Sequence, residues 1–389
     1  MEVHVLEALG EVGSGEWDSL LGTDQPFLSH GFLHALEAHG CLGPEQGWIP
    51  QHLLVYQGDQ LLAAAPAYLK LHSWGEFVFD FAWADAYARH GLDYYPKLVV
   101  AAPLTPVTGP RILVRDENQR PQAEAALAAA ALELCRRLGL SSVHWLFPEA
   151  GLAHRLQAAG WGLRMGCQYH WQNPGYRDFD DFLDGFSSKK RKNIRRERRR
   201  VAEAGVEMAV HEGPDVSPEL WSAMHRFYRD TFLAHGNPPV MSEAFFRELG
   251  ERLASKVVVV EARRHGRPIA GALCLQDAAA LYGRYWGCDQ ELDGLHFETC
   301  YYQGIEHCIA RGLGRFEPGA QGRHKIPRGF LPTPTYSCHH LEHPDFQRAV
   351  DEFLGRERTA VSGYIEDARR QGPFRSEVLE RLSREGLPR

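Results

Sequence analysis

From Glu317 to Phe330 the chain reads EPGAQGRHKIPRGF, its densest group of side chains able to do chemistry. A carboxylate at Glu317 could orient or deprotonate an amine, and a fixed ammonium at Lys325 could stabilise an oxyanion. His324 and Arg328 add donors, while Gly319 and Gly322 free the backbone between them. Glu317, His324 and Lys325 are therefore the expected catalytic group, with Arg328 beside them as a substrate contact. A glycine turn closed by a surface salt bridge would use the same residues.

A second concentration lies in SSKKRKNIRRERRRV, Ser187 to Val201. Lys189 to Arg200 holds nine basic residues against Glu197 alone, in a chain of net charge −7. Such a block repels itself and needs an anionic partner or open water. As a phosphate clamp, with Lys189, Lys190, Arg191, Lys192 and Arg195 on donor phosphate, it would hold a nucleotide or an RNA backbone, and binding would weaken with salt. As a solvated helix face it would be inert.

A third candidate is the connection ADAYARHGLDYYPKLVVAAPLTPVTGPRI, 84–112, rich in Pro, Gly, Tyr and Thr and too irregular for one element. Long proline-braced connections on a rigid scaffold often bind ligands. Trp83, Asp85, Tyr94, Tyr95, Lys97, Thr105, Thr108 and Arg111 are its expected substrate contacts; a packed surface loop with core aromatics is the plainer reading. Cys338, His339, His340 and His343 are of metal-ligand type but lack a second cluster at finger-like spacing, so no metal is expected. There is no GxSxG elbow, GxxxxGK[ST] phosphate loop or GxGxxG after a strand.

The elements that position these groups form a repeat. HLLVY and LLAAAPAYL flank Gln57-Gly58-Asp59, and VVVVEA and PIAGALCL flank Arg264-His265-Gly266, which predicts two hairpins. An aromatic strand candidate follows each, Phe77 to Trp83 and Leu281 to Gly287. A glycine-closed helix comes next, Pro121 to Leu138 and Phe297 to Arg311, then a strand, SSVHWLF or RFEPG. The helix ends share Cys-x-x-x-Gly-Leu, at Cys135 and Cys308. Hairpin, strand, helix, strand twice over predicts two copies of one α/β unit with mixed sheets. The first copy runs longer, 81 residues from Gly58 to Gly139 against 46 from Gly266 to Gly312, and the surplus is the 84–112 connection. Glu317 falls where the last strand of the second copy ends, the edge at which open α/β sheets bind ligands. The expected lobes are 1–175 and 176–345, with a helical tail over 346–389 and the basic stretch opening the second lobe beside the cleft between them.

At 389 residues, 44% hydrophobic and 24% charged, the chain is an ordinary globular one with room for two domains. MEVHVLEALGEV is acidic where a signal peptide is basic, and no apolar run nears the ~20 residues that span a bilayer. Eight cysteines without a CxxC pair fit buried, reduced thiols. A cytoplasmic protein is expected.

AWADAYARHGLDYYPKLVVAAPLTPVTGPRIL, QYHWQNPGYRDFDDFL, SSKKRKNIRRERRRV and GRHKIPRGFLPTPTYSCHH together resemble the bacterial predicted N-acyltransferases labelled peptidoglycan biosynthesis or recognition proteins. That family is related to the FemAB group within the GNAT (Gcn5-related acetyltransferase) superfamily. The resemblance runs from about Phe77 to the C-terminal helices and implies two GNAT-like lobes. It also implies amide formation on an acceptor amine, from aminoacyl-tRNA as in FemAB enzymes or from acyl-CoA as in typical GNAT enzymes. It makes Lys325 similar to a FemAB lysine that stabilises the transferring carbonyl. The helical arm that some FemAB members insert is not evident. A CoA pyrophosphate would need a glycine loop before the helix at Phe297, where the chain instead reads DQELDGLHFE, with Asp289, Glu291 and Asp293 ahead of that helix. Aminoacyl-tRNA is therefore the expected co-substrate, with no resident cofactor. An RNA-binding or anion-binding protein of the same fold, without catalysis, is the competing expectation.

Overall fold

The structure, a computed structural model, describes residues 1–320 and 322–385. The chain forms two compact units, 1–167 with 334–363 and 168–333 with 364–389. It changes unit inside two 11-residue strands, Gly162–Gln172 and Leu331–Leu341. The helix Pro344–Arg370, expected as part of a separate tail, is a single helix divided between the two units. Pro332 and Pro334 hid the Leu331–Leu341 strand from sequence reading, since proline usually argues against a strand interior.

In the first unit, Glu2–Leu6, His52–Gln57, Gln60–Ala65 and Leu113–Val114 form an antiparallel sheet. The expected hairpin closes with Gln57 opposite Gln60, across Gly58 at φ 57°. A second set of strands runs in the order Leu331–Leu341, Ser142–Leu146, Lys97–Val100, Ala67–Lys70 and Trp48–Pro50. The helix Arg120–Arg137 packs Leu127, Ala131 and Leu134 into a core shared with Leu53, Val55, Leu98, Val143 and Trp145. Gly139 ends it at φ 63°, the left-handed turn that its position called for.

One strand was misplaced by sequence reading. Phe77 to Trp83 is no strand: Phe81–Arg89 is a helix, and 77–80 is irregular. Four alanines in FAWADAYAR favour the helix once the chain has turned. The 84–112 connection is also more ordered than expected, since it contains the rest of that helix and the buried strand Lys97–Val100.

The second unit orders Glu207–Glu212, Val257–Arg264, Arg267–Gln276, Ala280–Cys288, Arg315–Glu317 and the end of Gly162–Gln172 side by side. The first four run antiparallel, Ala280–Cys288 is parallel to Arg315–Glu317, and Arg315 faces Gln172 on the other side. The expected helix before Gly312 runs over 295–311, with a π-helical turn at Glu298–Tyr302. The basic stretch is the helix Ser188–Glu203, and Gly205 at φ 72° ends it. Its Ile194 joins a core with Trp171, Phe182, Tyr302, Phe316 and Phe330.

Candidate active site

Glu317 closes the short strand Arg315–Glu317, and alternation along that strand puts Arg315 on the same face. Arg315 Nε donates to Glu317 Oε1 at 2.8 Å. The other oxygen, Oε2, is buried without a hydrogen-bond partner among the described residues, 3.8 Å from His170 Nε2. Burial pushes the Glu317 carboxyl up to about 7, against the pull of Arg315. His170 arrives from the neighbouring strand Gly162–Gln172. Burial, Arg315 and Lys325 together hold it down at about 3, so it is a neutral ring at physiological pH. His170 thus lies close to Glu317 and within electrostatic reach of Lys325.

Lys325 lies on the short 3₁₀ helix Arg323–Arg328, only 2% exposed. Its Nζ donates to Gly319 O at 2.7 Å, which folds the turn back on the end of the strand. Gly319 and Gly322 take φ 98° and 119°, and a Cβ on Gly322 would lie 2.4 Å from the His324 ring. Burial lowers the Lys325 ammonium to about 8, leaving it mostly charged at neutral pH yet poorly solvated. His324 Nε2 lies 2.8 Å from the Tyr301 hydroxyl, and burial with Lys325 and Arg328 nearby disfavours its protonation.

Arg328, expected to touch substrate, is instead held inside the protein. Nη2 donates to Glu197 Oε1 at 2.8 Å, Nη1 donates to His324 O at 2.7 Å, and the guanidinium lies 3.3 Å over the Phe297 ring. The Tyr302 hydroxyl also donates to Glu197. The one acidic residue within the basic block therefore pins its helix to the Arg323–Arg328 turn. Arg198 does the same on the π-helical turn, bonding both Glu298 and Glu306.

The nine basic residues divide accordingly. Arg191 pairs with Asp184, Arg195 with Asp180 and Arg200 with Asp293. Among the described residues Lys189, Lys190, Lys192, Arg196 and Arg199 make no ion pair. Of the five expected phosphate contacts, the three lysines are thus free for a ligand and the two arginines are engaged. The helix borders a cavity of about 570 Å³ where Arg195, Arg198 and Arg199 look across to Glu298, Gln303 and Glu306. The acidic loop before Leu295 is partly neutralised, Asp289 by Arg226 and Asp293 by Arg200.

In the first unit the expected substrate contacts form a buried network. Lys97, wholly buried, donates to Ser73 Oγ and Glu76 Oε2, each at 2.9 Å, and pairs closely with Asp80. Tyr94 donates to Asp80 Oδ2 at 2.7 Å, and the Tyr95 hydroxyl lies 2.8 Å from Ser73 Oγ. Trp83 meets His339 edge-on, and His339 Nδ1 lies 2.6 Å from His144 Nδ1. Arg111 is buried and donates to the carbonyls of Leu146, Pro110 and Val107. Thr105 bonds Pro103 O, and the Thr108 carbonyl accepts from Gln25. Asp85 alone of this group is exposed. Lys97 and Arg111 are core cations here, Lys97 held by two buried carboxylates and Arg111 by three backbone carbonyls. Among the described residues no cluster of three His, Cys, Asp or Glu could hold a metal ion, and no helix is long and apolar enough to cross a membrane.

Residues 8–376 match the FemAB-like family, described as peptidoglycan biosynthesis/recognition. The chain belongs to that family. Among solved structures this FemAB-like chain is similar to FemX, at 10% identity and TM-score 0.53, covering 90% of this chain and 100% of that one. It is similar at 13% identity and TM-score 0.53 to the C-terminal DUF2156 domain of a putative lysylphosphatidylglycerol synthetase from Agrobacterium fabrum, covering 88% and 96%. A tandem GNAT protein from the clavulanic acid biosynthesis pathway matches at 12% identity and TM-score 0.46, covering 88% and 99%. No curated protein matches the sequence. The fold is the expected mixed α/β one, similar to that of FemX, and membership of the FemAB-like family supports a transferase.

The Glu317 carboxyl gives a stability prediction. Its folded pKa of about 7 lies above the unfolded 4.5, so the folded state binds the proton more tightly. The stability is fully present below 4.5 and is lost as pH rises to about 7, by about 3 kcal/mol. Glu317→Gln keeps an acceptor for Arg315 and removes the titration. Urea unfolding at several pH values should show a much flatter profile for the variant across that window. Parallel profiles would mean that Glu317 ionises as easily when folded as when unfolded.

Proposed function

We propose that the protein is an N-acyltransferase that moves an aminoacyl group from tRNA to an amine of a peptidoglycan precursor. The observation that carries this reading is the buried Lys325 ammonium bonded to Gly319 O, two residues past the strand that Glu317 closes with a carboxyl titrating near neutrality. The amine nitrogen attacks the ester carbonyl, Lys325 stabilises the oxygen anion that develops, and the C–O bond to the terminal ribose breaks. Glu317 takes the proton that the amine loses, and the ribose oxygen takes up a proton as it leaves. Three unpaired lysines on the Ser188–Glu203 helix supply phosphate contacts for the donor. Family membership supports the peptidoglycan setting.

The test supplies charged tRNA or acyl-CoA, separately, with an amine-bearing precursor and looks by mass spectrometry for the new amide. Product from charged tRNA alone is expected. Product only from acyl-CoA would replace the donor, and no product with either would leave a binding protein. Replacing Lys189, Lys190 and Lys192 with alanine should lower the slope of log K for tRNA against log salt by about 2 to 3. An unchanged slope would move the phosphate contacts elsewhere.

A further inference from the structure

The segment 71–82 of the first unit is built inside out. Leu71, Trp74, Phe77, Phe79 and Phe81 are exposed, Trp74 by 63% and Phe79 by 54%, whereas Ser73, Glu76 and Asp80 are buried. No exposed residue of the segment carries a charge. The inward side chains converge on Lys97, as described above. The backbone is fastened twice more: Lys70 Nζ donates to Trp74 O at 3.2 Å, and Arg164 Nη1 donates to Phe79 O at 2.8 Å. Phe77 is held at φ 59°, a left-handed conformation that bulky residues avoid. The aromatic side chains are therefore presented by a buried ionic anchor, and they are not the loose end of a loop.

At ~200 Å² per large side chain, the five leave roughly 450 Å² of apolar surface in water, enough to mark an interaction site. A stable protein interface needs ~800 Å² per partner, so this patch alone falls short of one. Trp and Phe favour the boundary between lipid headgroups and acyl chains, where a small uncharged patch suffices for reversible docking. We propose that the 71–82 loop inserts its aromatic side chains into the interfacial layer of a lipid bilayer, docking the protein on a membrane surface without charge attraction. This inference is independent of the chemistry assigned to Lys325.

Flotation of the full chain with phosphatidylcholine vesicles in high salt tests it, because salt silences the basic helix. The wild type should float, and Trp74→Ser with Phe79→Ser should reduce the bound fraction at least ~10-fold while the melting temperature stays unchanged. Trp74→Phe should still float but lose most of the tryptophan quenching by brominated lipid. Absence of binding to these vesicles overturns the proposal, as does binding that needs anionic lipid and low salt, or equal binding by the double variant. Capture of a soluble protein through the loop, without vesicle binding, would overturn it in favour of a protein partner.

Discussion

Lys325→Met is expected to cut acyl transfer by ~100 to 1,000-fold, the usual loss when one oxyanion donor is removed. The protein should nonetheless stay folded, or gain stability. Lys325 is buried, and among the described residues its ammonium makes one hydrogen bond, to Gly319 O, so its charge destabilises the folded state and an apolar side chain of similar length relieves that. A stable, inactive variant would separate catalysis from architecture, whereas full turnover with an identified substrate pair would remove Lys325 from the mechanism. The pH profile adds a second reading. Glu317 must be ionised to accept a proton, so the rate should rise through about 7. Lys325 must be protonated to stabilise the anion, so the rate should fall as pH rises through about 8. The two limbs lie close together, and the optimum should be narrow. Glu317→Gln should remove the rising limb and leave the falling one.

These two groups differ in how far the sequence exposes them. Glu317 was legible because a short strand after a glycine-ended helix, itself followed by Pro-Gly, marks the place where a carboxylate would sit at a strand end. The burial of Lys325 was not, since a lysine between His and Ile in a charged run reads as exposed; the 3₁₀ turn and Gly329 at φ 92° carry it inward. His170 was missed because it reaches Glu317 only through the pairing of Arg315 with Gln172, a contact between distant parts of the chain. The hairpins and glycine-ended helices were legible because their signals are local. In EFVFDF the alternation was real and its polarity misleading: a period of two says that faces differ, but not which one meets the core. Here Glu76 and Asp80 face in and the phenylalanines face out, because Lys97 waits beneath them.

Lys97→Met should therefore be the most destabilising single change in the first unit. Burial works to raise Asp80, but Lys97 outweighs it and holds the carboxyl down at about 2. Burial pushes Glu76 up to about 7 despite the same ammonium. Without Lys97 both carboxylates lose their cation, and leaving one charge buried and unpaired costs about 3 to 5 kcal/mol. For a unit of this size that lowers the melting temperature by roughly 10 °C at pH 7. The penalty is one of ionisation, so it should shrink as pH falls and the two carboxyls take up protons. Lys97→Met combined with Glu76→Gln and Asp80→Asn removes all three charges and should recover most of the loss. If the single variant melts within a degree or two of the wild type at pH 7, the ionic anchor contributes little. The aromatic loop above it would then owe its conformation to the backbone bonds from Lys70 and Arg164 alone.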